Sequence, residues 1–277
     1  MKQKYKSDFL RKINLKGTFR FVAFVMSAVS VMLTLPFSPI FAKGSDSYIW
    51  HFKAGEKGNQ PLLIDGNSIV EHPALLSMGN PDEKVIYLTF DAGYSTENVE
   101  KILDVLKEEQ VSAAFFILPA IYKYTPQVAA RMADEGHLVC NHTLTHANVA
   151  KLSAEETERE LLSLEAEYEN YTGNKMAKYF RPPEGIFSET TLSVCEKLGY
   201  KCVFWSFAYA DWDNNAQKDV QWAKEKILST AHNGEVMLLH PNSKTNATIL
   251  KDVIRQLKSE GYTFETLDRL SKEKEQR

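Results

Sequence analysis

The feature that most limits how this chain can fold is a regular alternation, from Lys84 onward, of short apolar runs and amphipathic helical segments. The runs are 85–90 (VIYLTF), 113–118 (AAFFIL), 137–141 (HLVCN), 179–180 (YF), 201–207 (KCVFWSF), 235–240 (EVMLLH) and 262–264 (YTF). Between them lie helices with readable starts and stops. Val99, Ile102, Leu103 and Leu106 share one face. A second helix opens at Thr125-Pro126 and stops at Gly136, and a third opens on the capping box Ser153-Ala-Glu-Glu156. Others begin near Ser188, around Val220 and before Leu250. Strands apolar on both faces and separated by helices predict a parallel sheet, in a small barrel or a doubly wound arrangement. About seven such units fit into the residues that follow Lys84.

In parallel α/β folds the carboxyl ends of the strands meet on one rim. Polar residues of chemical interest stand just past the run ends: Asp91, the pair His142 and His146, Arg181, Asp211 and His240. Each has an ordinary reading alone. Asp91 suits a turn or helix cap, Arg181 a surface ion pair and His240 a satisfied core histidine. Two imidazoles four residues apart can face one ion if the segment between them is tightly turned. The occurrence of the whole set at strand ends is what points to one site.

These strings resemble the polysaccharide deacetylase (NodB-homology) family, carbohydrate esterase family 4. The motifs are Thr89-Phe-Asp-Ala-Gly93, His142-Thr-Leu-Thr-His146, Arg181-Pro-Pro-Glu-Gly185, Asp211-Trp212 and Leu238-Leu-His240, within residues 84–270. The longer strings, Phe187-Ser-Glu189 and Trp205 through Asp213, look closest to the muramic acid (δ-lactam-biosynthetic) de-N-acetylases of spore-forming bacteria.

The resemblance implies a distorted (β/α) barrel with about seven parallel strands and removal of N-acetyl groups from amino sugars of peptidoglycan. N-acetylmuramic acid is the expected sugar. The alternatives are an N-acetylglucosamine deacetylase and a glycan-binding module without catalysis. A divalent metal ion, zinc or another such as cobalt, is expected on His142 and His146. Asp91 is the expected general base, His240 the general acid, Arg181 the residue orienting Asp91, and Asp211 the residue orienting His240. Tyr94, Pro183, Phe187, Tyr209 and Trp212 are the expected substrate contacts, and Trp205 is read as core. Two departures stand out. Ala92 replaces the aspartate that is usually the third metal ligand, leaving that ligand open between Asp91, solvent and substrate. Ala208 stands where many relatives carry another aspartate.

The N-terminus differs from the rest. Residues 1–20 carry seven basic residues and one acid, and an apolar run, 21–35, follows them. Pro36, Pro39 and Ala42 come next. This order fits a signal peptide over residues 1–42, or an uncleaved membrane anchor, and either one exports the remainder. Residues 43–83 read as an extension that wraps the domain, and 271–277 as a polar tail. The chain's net charge of −3 becomes more acidic without the basic leader, which excludes a nucleic-acid partner. The glycan strand is the expected partner, with membrane contact only through the N-terminal segment. Oligomeric state is not legible. Cys140, Cys195 and Cys202 are too few for a disulfide framework and read as buried small residues, with a Cys195–Cys202 bridge as the alternative.

Overall fold

The computed structural model describes residues 47–63 and 68–276. The leader read over residues 1–42 lies outside the described residues. Eight strands form one parallel sheet: β1 (Leu75–Leu76), β2 (Val85–Ala92), β3 (Ala114–Ile117), β4 (Leu138–Asn141), β5 (Tyr179–Phe180), β6 (Lys201–Val203), β7 (Glu235–Leu239) and β8 (Thr263–Phe264). Their order across the sheet is β7-β2-β3-β4-β5-β6-β1, and β8 pairs with the first residues of β2. The sheet curls until its margins meet. Met78 bridges Glu235, and Phe207, just past β6, bridges Met237. This is the distorted barrel that the family resemblance implied. It closes through isolated bridges and not through a full ladder.

The pleat of β2 explains how the barrel is filled. Val85 and Tyr87 belong to an inner cluster with Phe116, Cys140, Val203 and Val236. Ile86, Leu88, Phe90 and Ala92 alternate with them and pack against helices on the outside. Thr89 and Asp91 continue the inward series, so the strand that builds the core also aims a carboxylate at its rim.

The outer layer forms where the sequence signals it. Helix α1 (Glu97–Glu109) is capped by Thr96, whose side chain accepts from Asn98 N, and Val99, Ile102, Leu103 and Leu106 are buried. Helix α2 (Pro119–Tyr124), which carried no clear signal, precedes α3 (Pro126–Asp134). Helix α4 (Ala154–Thr172) has the expected reciprocal capping box of Ser153 and Glu156. Helices α5 (Glu189–Leu198), α6 (Val220–Thr230), α7 (Lys244–Ser259) and α8 (Leu267–Glu275) complete the set.

Two local expectations change. Leu75–Leu76, read as part of the extension ahead of Lys84, is a buried strand of the main sheet; two residues are too few to show a period. The polar residues after 270 do not form a separate tail, because α8 continues to Glu275 and Glu273 accepts from the Tyr87 hydroxyl. Within the extension, Tyr48–Ile49 pairs antiparallel with Ile186–Phe187, and Trp50 Nε1 donates to Trp205 O at 2.8 Å. The three cysteines are free and buried. Among the described residues no helix is long and apolar enough to cross a membrane.

Candidate active site

Asp91 sits at the inward end of β2, and its Oδ1 accepts from Arg181 Nη1 at 2.7 Å. Arg181 follows β5 and crosses the barrel interior with no exposure to solvent. Its Nε donates to Val203 O at 3.1 Å and its Nη2 to Thr89 Oγ1 at 2.9 Å, while the guanidinium carbon lies 4.1 Å from the Phe116 ring centre. The planar fork is thus used on three sides, which a lysine would not reproduce. Burial pushes the Asp91 carboxyl up, but the positive charge of Arg181, with His142 and His240, outweighs it and leaves the group below its usual range.

His142 and His146 follow β4. Their ring centres are 5.1 Å apart, and His142 Nε2 is 3.7 Å from Asp91 Oδ2. His142 Nδ1–H donates to Arg181 O at 2.8 Å, which fixes the tautomer and leaves Nε2 as the ring's basic nitrogen. Burial pushes His142 down to about 4, so it is neutral near pH 7. The turn that joins the pair is unusual. Thr143 and His146 adopt left-handed backbone at φ 70° and 57°. For a β-branched residue such as Thr143 that conformation is a true outlier, held where the surroundings dictate it. These donors fit a divalent ion in kind: two imidazoles, one with a fixed tautomer, beside a carboxylate. Among the described residues no three His, Cys, Asp or Glu side chains form a closed ligand group, and Ala92 is buried and has no donor atom.

Asp211 and His240 form the other side. His240 ends β7, and its Nδ1 donates to Asp211 Oδ1 at 2.7 Å. Asp211 Oδ2 accepts from His240 N at 2.8 Å and from Asn246 Nδ2 at 2.6 Å. Burial lowers the His240 pKa, but Asp211 and then Asp91 raise it by more, and the net displacement is upward. Ala208 lines the cavity without a charge, and Asp211 alone supplies the carboxylate partner of His240.

Asp91, His142, His146 and His240 line one cavity of about 590 Å³, while Arg181 and Asp211 support it from behind. Tyr94 and Trp212 stand at its mouth, 46% and 59% exposed, with the Trp212 ring centre 6.0 Å from that of His240. Tyr209 lines the cavity but is mostly buried, its hydroxyl bonded to Asn246. Two expected contacts do not reach the cavity. Phe187 is 1% exposed and packs on Phe204 and Tyr48 in the outer core. Pro183 is buried in the short helical turn ahead of Ile186–Phe187, and Glu184 lines the cavity in its stead. Trp205, read as core, also lines it while its ring faces Arg181 at 5.7 Å. Gly185 has φ 68°, and a Cβ there would lie 2.9 Å from the Trp205 ring, so the motif needs glycine.

Sequence reasoning missed Asn246, Glu184 and the cavity role of Trp205. Thr89 was within reach, since it shares the inward face of β2 with Asp91. Asn246 had no signal, being one polar residue in the first turn of α7.

Comparison with known proteins places the chain in a family. The polysaccharide deacetylase family model matches residues 78–203. The peptidoglycan-N-acetylmuramic acid deacetylase PdaA of Bacillus subtilis is 43% identical over 211 residues, covering 76% of this chain and 80% of PdaA. A Bacillus cereus peptidoglycan-N-acetylglucosamine deacetylase is 31% identical, covering 80% of this chain and 79% of its own. The solved structure of B. subtilis PdaA, described as a family 4 carbohydrate esterase, superposes with a TM-score of 0.79 at 40% identity, over 83% of this chain and 98% of that one. On this combination of motif, fold and coverage, the chain belongs to the polysaccharide deacetylase family, carbohydrate esterase family 4.

Proposed function

We propose that the chain removes the N-acetyl group of N-acetylmuramic acid in peptidoglycan, outside the cytoplasmic membrane, as a step toward muramic δ-lactam in the spore cortex. The observation that carries the chemistry is the pairing of two opposed proton carriers across one cavity, Asp91 held by Arg181 and His240 held by Asp211. The choice of sugar rests on the likeness to PdaA, which is greater than that to the glucosamine enzyme.

The chain's own residues divide the work. Asp91, kept ionised by Arg181, takes the proton of the attacking water on its Oδ2, the oxygen that Arg181 leaves free. His240 holds Nδ1–H on Asp211, so Nε2 is the nitrogen that gives a proton to the departing amine. His142 and His146 hold a divalent ion, zinc or cobalt, in the absence of a carboxylate at position 92. When bound, that ion supplies Lewis acidity to the acetyl carbonyl. Tyr94 and Trp212 offer exposed rings on which a pyranose can stack. Acetate and a free amino sugar leave. Residues 1–42 act as the export signal or anchor, and the segment between them and Leu75 as a strap on the catalytic domain.

Mass spectrometry of muramidase-digested peptidoglycan, with and without stem peptides, tests this. The expected result is a chelator-sensitive loss of acetyl from muramic acid on peptide-stripped strands. Loss from glucosamine would keep the deacetylase and overturn the sugar assignment. No loss on either glycan, with zinc or cobalt supplied, would leave a glycan-binding module.

A further inference from the structure

Behind the Asp211–His240 pair lies an amide that no motif of the family resemblance includes. Asn246 is fully buried in the first turn of α7. Its Nδ2 donates to Asp211 Oδ2 at 2.6 Å and to His240 O at 3.1 Å. Its Oδ1 accepts the Tyr209 hydroxyl. An asparagine amide has two possible orientations, but the Asp211 carboxylate and the His240 carbonyl only accept, so NH₂ must face them and the oxygen is left to take the Tyr209 hydroxyl. The backbone at 246 is also fixed, since Asn246 N donates to the capping Ser243 Oγ at 3.2 Å.

We propose that Asn246 is a positioning residue for proton delivery: oriented by Tyr209, it holds the Asp211 carboxylate so that His240 keeps its proton on Nδ1 and offers Nε2 to the substrate nitrogen. This rests on reading His240 as the general acid. Asp211 Oδ2 has two anchors, His240 N and Asn246 Nδ2. The first belongs to the residue being oriented, so only the second ties the carboxylate to an independent helix. Without it the carboxylate turns about its Cβ–Cγ bond, and Oδ1 leaves the line of the imidazole N–H. The charged groups acting on His240 are Asp211 from the loop after β6, Asp91 from β2 and Arg181 from β5. Of these, Asn246 touches Asp211 alone.

Asn246→Leu keeps the volume and removes both donor and acceptor; Tyr209→Phe removes only the hydroxyl that orients the amide. The measurements are steady-state deacetylation of peptide-stripped peptidoglycan against pH and ¹⁵N-edited NMR of the His240 ring. In the wild type, neutral His240 is expected as the Nδ1–H tautomer. In Asn246→Leu, kcat is expected to fall about tenfold with KM within about twofold, the alkaline limb to move to lower pH, and the Nε2–H tautomer to appear. Tyr209→Phe is expected to move the same readings in the same direction by less. Loss of kcat with an unmoved limb and an unchanged tautomer would overturn the proposal, leaving Asn246 a packing residue. A tautomer shift in a protein that deacetylates no glycan would sink the function and keep the positioning role.

Discussion

Arg181 Nη1 stands 2.7 Å from Asp91 Oδ1, and the guanidinium that makes this contact is wholly out of water. The same group is spent on Thr89 and on the Val203 carbonyl, so it has no second orientation to fall back on. Activity and stability are therefore joined at one ion pair.

Arg181→Met is expected to lower unfolding free energy by about 3–5 kcal/mol, because it leaves the Asp91 charge in the barrel without its partner. Adding Asp91→Asn is expected to recover most of that loss and none of the activity. Urea denaturation followed by tryptophan fluorescence, beside a deacetylation assay, separates the two effects. Additive losses in the double variant would mean that the pair is not coupled.

The pH profile should be set on its alkaline side by His240. A proton donor works while it is protonated, so activity is lost as pH rises through its pKa. Asp211 is the largest contributor holding that pKa above the ordinary 6.5. Asp211→Asn is expected to move the alkaline limb of kcat/KM down, toward or below 6.5. The same ion pair stabilises the fold fully below 6.5 and ceases to do so as pH rises through the raised value. A limb that stays in place would assign the acid to another group.

On the proposed pair of imidazole ligands, metal binding should be weak and easily lost. Calorimetric titration of chelator-stripped protein with zinc is expected to give one site, and His142→Ala or His146→Ala to weaken it by at least about tenfold. Because burial holds His142 down near about 4, its Nε2 stays available in mildly acidic buffer. Zinc binding unaffected by both substitutions would remove these residues as ligands.

Aromatic residues separate by exposure. Trp212→Ala and Tyr94→Ala are expected to raise KM several-fold with little change in thermal midpoint, since both rings stand at the cavity mouth. Phe187→Ala should instead cost about 3–5 kcal/mol of stability, because its ring fills core against Phe204. Melting curves and Michaelis constants measured together decide the matter, and an unchanged KM in Trp212→Ala would exclude stacking there.

Much of this site is legible in the sequence. His142, Arg181 and His240 follow strand ends directly, Asp91 lies in the last pleat of β2 and Asp211 in the loop after β6, and a parallel barrel gathers such positions on one rim. The substrate contacts are less legible, because facing is decided by a long-range pairing. Phe187 turns inward once Tyr48–Ile49 pairs beside it, Pro183 is buried in the turn just ahead, and Trp205 is drawn to the cavity between Arg181 and the Gly185 backbone. Leu75–Leu76 is hidden for a different reason. A two-residue strand has no period of its own, and it becomes a strand only because β6 offers it an edge.

The seam of the barrel has a mechanical consequence. Asp91 pairs with Phe116 within the four-residue β2–β3 ladder, and the five-residue β2–β7 ladder runs up to Phe90 beside it. Asp211 and His240 arrive from opposite sides of the seam, where among the described residues the strand pairing is reduced to the isolated bridges Met78–Glu235 and Phe207–Met237. Their hydrogen bond is a clasp across the place where the wall is thinnest. Warming should loosen the proton-donating half first while the proton-accepting half keeps its shape, so the enzyme should fall silent some degrees before it melts.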